Sequence, residues 1–345
     1  MIKFRVLYIY NQRRKEGKDM FKFIIRKLAI ALTTLWVIAS ATFFLMHAIP
    51  GDPFASEKKV PPLVKAKLME KYQLDKPLIV QYGNYLGNVF LKGDLGISMK
   101  IRGRSVNKMI INNFPKSFIL GVFAMIVALA VGLPLGIYAA LNRGKFKDSL
   151  SMFVAILGIS IPSFIVAGTL QWIVILIKQS TGVSILPVAG WGEFRHVILP
   201  TLALSASPIA VIARMMRASM IEVLGLDYVR TARAKGVAYY TIIIKHCVRN
   251  AILPVITYLG PLFAAITTGS FVVETIFSIP GLGKYFSTSI IDKDYTVTLG
   301  VTIFYALILI IAMFVVDLAY GLVDPRIRDG KKRGDRKSTR LNSSH

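Results

Sequence analysis

Six blocks of about twenty or more apolar residues, separated by basic and polar links, constrain this chain more than any other feature. They fall at 24–49, 117–141, 150–177, 197–216, 252–277 and 299–322. At 1.5 Å per residue, about twenty helical residues cross a hydrocarbon core of roughly 30 Å. No water reaches the backbone there, so each block satisfies its own hydrogen bonds by becoming a helix. The fold class is therefore all-α, a polytopic membrane protein with six transmembrane helices. Composition agrees: 54% of the 345 residues are apolar and the mean hydropathy is +0.57, against about 45–50% in soluble domains. Gly132, Pro134, Gly158, Pro162 and Pro208 fall inside blocks, as glycine and proline do more often in membrane helices than in soluble ones. Gly132 and Gly136 have the spacing that lets two helices approach closely, although ordinary bundle packing is the better reading of a single such match.

The formal net charge is +25. Such a number suggests nucleic acid until the charges are placed. They precede block 1 (Lys3, Arg5, Arg13 to Lys15), link blocks 2 and 3 (Arg143, Lys145, Lys147), link blocks 4 and 5 (Arg217, Arg230, Arg233, Lys235, Lys245, Arg249) and follow block 6. Six crossings put all of these on one side. Positive charge is retained on the cytoplasmic side, so both termini are expected inside, with anionic lipid as the counterpart and no nucleic acid. The Lys-rich segment 50–116 falls outside, where long loops are largely exempt from the rule. Within it, Asp75 and Pro77 mark a helix start, and Leu78, Tyr82, Tyr85, Leu86 and Val89 form one apolar face.

The expected organisation is a basic N-terminus (1–23), a first span (24–49), an extracellular segment (50–116), a five-helix core (117–325) and a basic tail (326–345). The first span is read as retained rather than cleaved, because its apolar run continues past the signal-like Ala39–Ser40–Ala41. Met20–Phe21–Lys22 looks like a natural start, which makes 1–19 an extension, and the polar 337–345 is read as either a disordered or a non-native appendage.

Catalytic and nucleotide motifs do not appear. There is no phosphate-binding G-x-x-x-x-G-K-[ST] and no H-E-x-x-H, and His47, His196, His246 and His345 lack ligand spacing. No metal site, catalytic residue or resident cofactor is expected. Cys247 is the lone cysteine, so no disulfide forms within the chain, and it reads as a packing residue. Glu274 and Asp317 are the acidic residues within blocks, both near helix ends, which gives no proton relay. No residue is nominated for substrate binding.

The link 217–250 is far longer than a connection between helices needs. Asp227 is a candidate N-cap, residues 228–235 favour helix, Gly236 stops it, and 239–248 resume one. The expected product is a helix of about two turns presenting Tyr228, Arg230, Thr231 and Ala234, with Ala232 and Ala234 small enough for another surface to approach. It is either a solvated basic loop or a docking peg for another subunit.

"YVRTARAKG" (228–236) followed by "RNAILP" (249–254) resembles the coupling-loop motif of ATP-binding-cassette (ABC) importer permeases. Arg230–Thr231–Ala232 stands at its Glu-Ala-Ala positions and Gly236 at its glycine. Arg in place of Glu, and the longer gap to Pro254, resemble the dipeptide, oligopeptide and nickel branch. "HAIPGDP" (47–53), "GDLGISM" (93–99), "ETIFSIPGLGKYF" (274–286) and "DPRIR" (324–328) resemble other segments of that branch, most closely its oligopeptide permease B-type subunits. Thr296 departs from the usual Pro, and Met313 lies near a usual Asn.

The resemblance implies one of two homologous permease subunits in a bacterial or archaeal cell membrane. Two cytoplasmic ABC ATPases would carry ATP and Mg, and an extracellular peptide-binding protein would deliver substrate. It assigns ATPase coupling to Asp227, Tyr228, Arg230, Thr231, Ala232, Arg233, Ala234 and Gly236. A nickel or metal-chelate permease of the same branch, an ion-coupled carrier and a membrane-embedded enzyme remain open at this point.

Overall fold

The structure is a computed structural model that describes residues 2–51, 53–54, 61–268 and 271–323, with side chains between 25 and 317. "DPRIR" and the tail expected over 326–345 lie outside the described residues. In chain order the helices are α1 (Ile2–Ala48), α2 (Pro62–Lys71), α3 (Leu78–Lys92), α4 (Val106–Leu141), α5 (Phe146–Ser160), α6 (Ser163–Thr181), α7 (Arg195–Leu224) and α8 (Asp227–Ala234). Then come α9 (Tyr239–Thr241), a π-helical segment (Ile242–Val248), α10 (Arg249–Ala251), α11 (Leu253–Thr267), α12 (Phe271–Ile276), α13 (Gly283–Ile291) and α14 (Tyr295–Val323). Among the described residues β structure amounts to the bridge Ile97–Ser105. Six stretches are long and apolar enough to cross a membrane: Ile25–Ala48, Val106–Leu141, Ser163–Thr181, Arg195–Leu224, Leu253–Ile276 and Tyr295–Asp317.

The chain forms two compact units. The first draws on Met1–Asn107 and Ser289–Ile310. Here the apolar face expected over 78–89 packs on the first span: the rings of Tyr82 and Tyr85 each lie 5.4 Å from that of Phe43, and Tyr82 shares a 2.6 Å hydrogen bond with Ser40. Asp294 organises the rest. Its carboxylate accepts the Val297 N–H, capping α14, and also accepts the Ser98 hydroxyl (2.5 Å) and the N–H groups of Met99 and Lys100. One buried acid thus joins "GDLGISM" to the start of the last span. Thr296 occupies the first turn of α14, where no intrahelical partner awaits its N–H, so threonine and proline are equivalent for the backbone there.

The second unit draws on Lys108–Thr288 and Ile311–His345, with α7 at its core. A Cβ at Gly132 of α4 would lie 2.9 Å from the Ile212 side chain, and one at Gly136 would lie 2.5 Å from the Ala213 carbonyl and 2.7 Å from Met216 Cβ. Gly158 of α5 meets the Ala206 carbonyl, also of α7, at 2.7 Å in the same sense. The Gly132–Gly136 pair is thus a true helix crossing.

The third expected span, 150–177, is two helices. Ile161 is extended (φ −92°, ψ 119°) and Pro162 is the N-cap of α6. A residue before proline is pushed out of the α region and proline donates no N–H, so the helix restarts. Pro134 and Pro208, by contrast, lie inside continuous helices.

This unit also buries Glu274. Its carboxylate accepts the Ser117 hydroxyl (2.6 Å) and the Gly283 N–H (3.1 Å), while Leu282 N–H donates to Ser117 Oγ. A side chain at Gly281 would overlap that carboxylate. "ETIFSIPGLG" therefore encodes an acid, the turn it binds and the N-terminus of α13.

Gly136→Leu is expected to lower the thermal unfolding midpoint of the detergent-solubilised protein, overpacking costing about 1–3 kcal/mol. Gly168→Leu, where an added Cβ meets nothing within 4 Å, is expected to leave the midpoint near that of the parent.

Candidate functional site

The link between spans 4 and 5 is shorter than its composition suggests, because α7 continues beyond 216 to Leu224. Met216, Met220 and Val223 are buried at helical spacing, which carries the amphipathic stripe past the expected end. Gly225 and Leu226 turn the chain, and α8 begins at Asp227. Leu226, extended, is the N-cap, and no side chain caps the helix. Asp227 is thus the first helical residue instead of the expected N-cap, favourable there through the helix dipole alone.

One face of α8 is anchored. Val229 is fully buried with Met220, Val223, Ile242, Ile243 and Cys247, and Ala232 packs on the same cluster. Complete burial of one valine stabilises by about 1.5–3 kcal/mol, enough to dock a two-turn helix too short to persist alone. Ala232 therefore faces inward, where the sequence suggested a presented surface. The outward stripe is Asp227, Arg230, Thr231 and Ala234, all exposed, with Arg233 and Lys235 beside it. Arg230 and Asp227 approach to 3.8 Å in solvent, a pairing too exposed to contribute much, so the guanidinium is available to another partner.

Tyr228 is exposed as expected, and its hydroxyl is also engaged within the segment. Its hydroxyl donates to the His246 carbonyl (3.2 Å) and accepts from the Asn250 amide (2.8 Å), which itself donates to the same carbonyl (2.9 Å). The expected helix over 239–248 is mostly π-helical.

Gly236 ends α8. At φ +75° it takes the left-handed conformation that glycine adopts without steric cost. Val237 N–H bonds the Ala232 carbonyl and Gly236 N–H the Arg233 carbonyl, the paired closure of a Schellman cap. Nothing lies within 4 Å of a Cβ there, so the glycine serves backbone conformation alone. Beneath α8, Cys247 is buried, and burial raises its thiol pKa against the lowering pull of Arg233.

A second contact holds the base of the segment. Arg217 donates to both Asp148 oxygens (2.6 and 2.8 Å), and the Gly144 N–H donates to Asp148 Oδ2. The hydrogen-bonded Arg217 guanidinium lowers the Asp148 pKa below its ordinary value. The sequence marked Arg217 only as one of many basic residues; a lone acid among Arg143, Lys145 and Lys147 was the available signal for its partner. Val229, the one branched aliphatic of α8, was likewise readable as an anchor. Asn250 had no such signal.

Residues 132–329 match the family described as binding-protein-dependent transport system inner membrane component, and residues 20–121 match its N-terminal companion family. The chain belongs to this family. Among binding-protein-dependent permeases it is 49% identical to the dipeptide transport system permease protein DppB of Bacillus subtilis, over 91% of this chain and all of that one. Identity is 43% to the oligopeptide transport system permease protein OppB of Haemophilus influenzae and 41% to that of Escherichia coli K12, each over 90% of this chain and all of the relative. A chain of the inward-facing MetNI methionine ABC transporter shares the fold, with TM-score 0.50 at 16% identity over 63% of this chain and 96% of its own. This permease is a multi-pass membrane protein, and α8 lies inside the matched region.

Two outcomes are expected. The stability contributed by Asp148 is fully present above about pH 4 and is lost as pH falls through its lowered folded-state pKa; Asp148→Asn should remove that acid-dependent part from melting curves taken between pH 3 and 7. Gly236→Asn should cost less than Gly236→Val in the same assay, since asparagine visits the left-handed region and a β-branched residue does not.

Proposed function

We propose that this chain is a permease subunit of an ATP-driven ABC importer for dipeptides or oligopeptides. It pairs with a second, homologous permease subunit around the translocation path. Two cytoplasmic ATP-binding-cassette ATPases, which bind ATP and Mg, engage it from below, and an extracellular peptide-binding protein delivers substrate. The membrane is the cell membrane of a bacterium or archaeon, with both termini cytoplasmic. The basic links around α5 and α8 support that orientation. The names of the relatives support peptide over nickel, and the family description supports a binding-protein-dependent importer over an ion-coupled carrier.

The observation that carries the reading is α8 itself: a helix fixed on one side by Val229, stopped by Gly236, and bare on the Asp227–Arg230–Thr231–Ala234 stripe. An anchored helix with a small, basic outer face is a peg. Arg230 and Arg233 meet acidic or carbonyl groups on the ATPase, and Thr231 and Ala234 let its surface come close. Closure of the ATPases presses on α8, and the buried cluster passes the displacement to α7 and α11. The spans then exchange inward-facing and outward-facing arrangements, two states biased from opposite sides by nucleotide and by loaded binding protein.

Copurification and uptake test this. Arg230→Glu is expected to weaken association with the ATPases about tenfold or more, and deletion of 230–236 to abolish ATP-dependent peptide uptake at normal membrane abundance. Uptake by this chain alone in liposomes, without ATPases, would overturn the reading.

A further inference from the structure

Beyond docking, the segment must turn a push on α8 into movement of a membrane span. The covalent route from α8 to the π segment passes through residues 235–238, with Gly236 left-handed and without side-chain neighbours. The Val237 and Gly236 N–H groups of this connection bond back to α8, to the Ala232 and Arg233 carbonyls, so they do not tie α8 to the π segment. The apolar contact of Val229 and Ala232 resists separation but is non-directional, so it does not fix the angle or register of α8. Hydrogen bonds are directional.

Three of them close this gap. Tyr228, in the first turn of α8, donates its hydroxyl to the His246 carbonyl; Asn250, in α10, donates its amide to that hydroxyl and to that carbonyl. The shared acceptor lies in the last turn of the π segment. A π-helix bonds five residues back and an α-helix four, so the return to α spacing skips a backbone acceptor, and side chains are well placed to occupy such a junction. The clasp therefore ties the start of α8 to the point where the π segment re-enters the helical run toward α11.

We propose that Tyr228 and Asn250 are positioning residues: their shared grip on the His246 carbonyl fixes the angle between α8 and the π segment, so that displacement of α8 reaches α11 instead of being absorbed at Gly236. The inference rests on the reading of α8 as the ATPase dock. Tyr228 is exposed, but its hydroxyl is engaged by the His246 carbonyl and the Asn250 amide, and copurification of the ATPases tells a role through α8 from a direct dock contact. Because the clasp lies at the surface, its loss leaves the buried cluster under α8 in place.

The test uses the complete importer in proteoliposomes, with radiolabelled dialanine and tetra-alanine as probes, carrying Tyr228→Phe, Asn250→Ala or both. The quantity read is peptide imported per ATP hydrolysed, beside copurification of the ATPases. Each single substitution is expected to lower the ratio about threefold or more, and the double to fall no further than the worse single, as for groups acting as one unit. The ATPases should still copurify and hydrolyse ATP, and hydrogen exchange over residues 239–251 should quicken in all three. Parental ratios in all variants, or losses that multiply in the double, would overturn the proposal, as would loss of ATPase copurification, which makes Tyr228 a dock contact. If the 230–236 deletion keeps its ATPases, the docking reading itself fails and takes this one with it; if that deletion sheds them while the clasp variants transport normally, only the clasp falls.

Discussion

Lipid tails are as apolar as leucine, so helices inside a bilayer gain nothing from hiding leucine against one another. Close backbone approach has to supply the packing. In the second unit that approach is made at glycines: Gly132 and Gly136 admit α7 to α4, and Gly158 admits it to α5. The same helix runs on to Leu224 and delivers Met216, Met220 and Val223 to the cluster under α8. The membrane packing and the anchoring of α8 are consequently one continuous structure.

Among the described residues the three buried acids, Asp148, Glu274 and Asp294, are each set against backbone. Asp294 gathers four donors at the start of α14, Glu274 binds the turn before α13, and Asp148 accepts from Gly144 while holding Arg217. Helix ends leave N–H groups without intrahelical partners, and where water is scarce a carboxylate is an effective replacement. The sequence segments that look most distinctive, "GDLGISM" and "ETIFSIPGLG", are the two halves of such arrangements or the whole of one.

The spans were legible because their length and composition follow from bilayer thickness alone. The break at Pro162 was not. Pro134 and Pro208 sit in similar apolar surroundings and interrupt nothing, so whether proline ends a helix depends on which neighbours satisfy the freed carbonyls. For α8, the helix and its stop at Gly236 were readable from local propensity. Its contacts were not, because the Tyr228 hydroxyl is held by partners 18 and 22 residues away and the π segment has no periodic signature. Ser117, which holds Glu274 across 157 positions, was equally invisible.

Cys247 lies beneath α8 with its thiol fully covered. Burial suppresses the thiolate, the form that reacts with alkylating reagents. A chain with one sulfhydryl, silent while the helix above it is seated, carries its own chemical gauge: alkylation at that position dates the moment the helix lifts, with no label introduced and no surface altered.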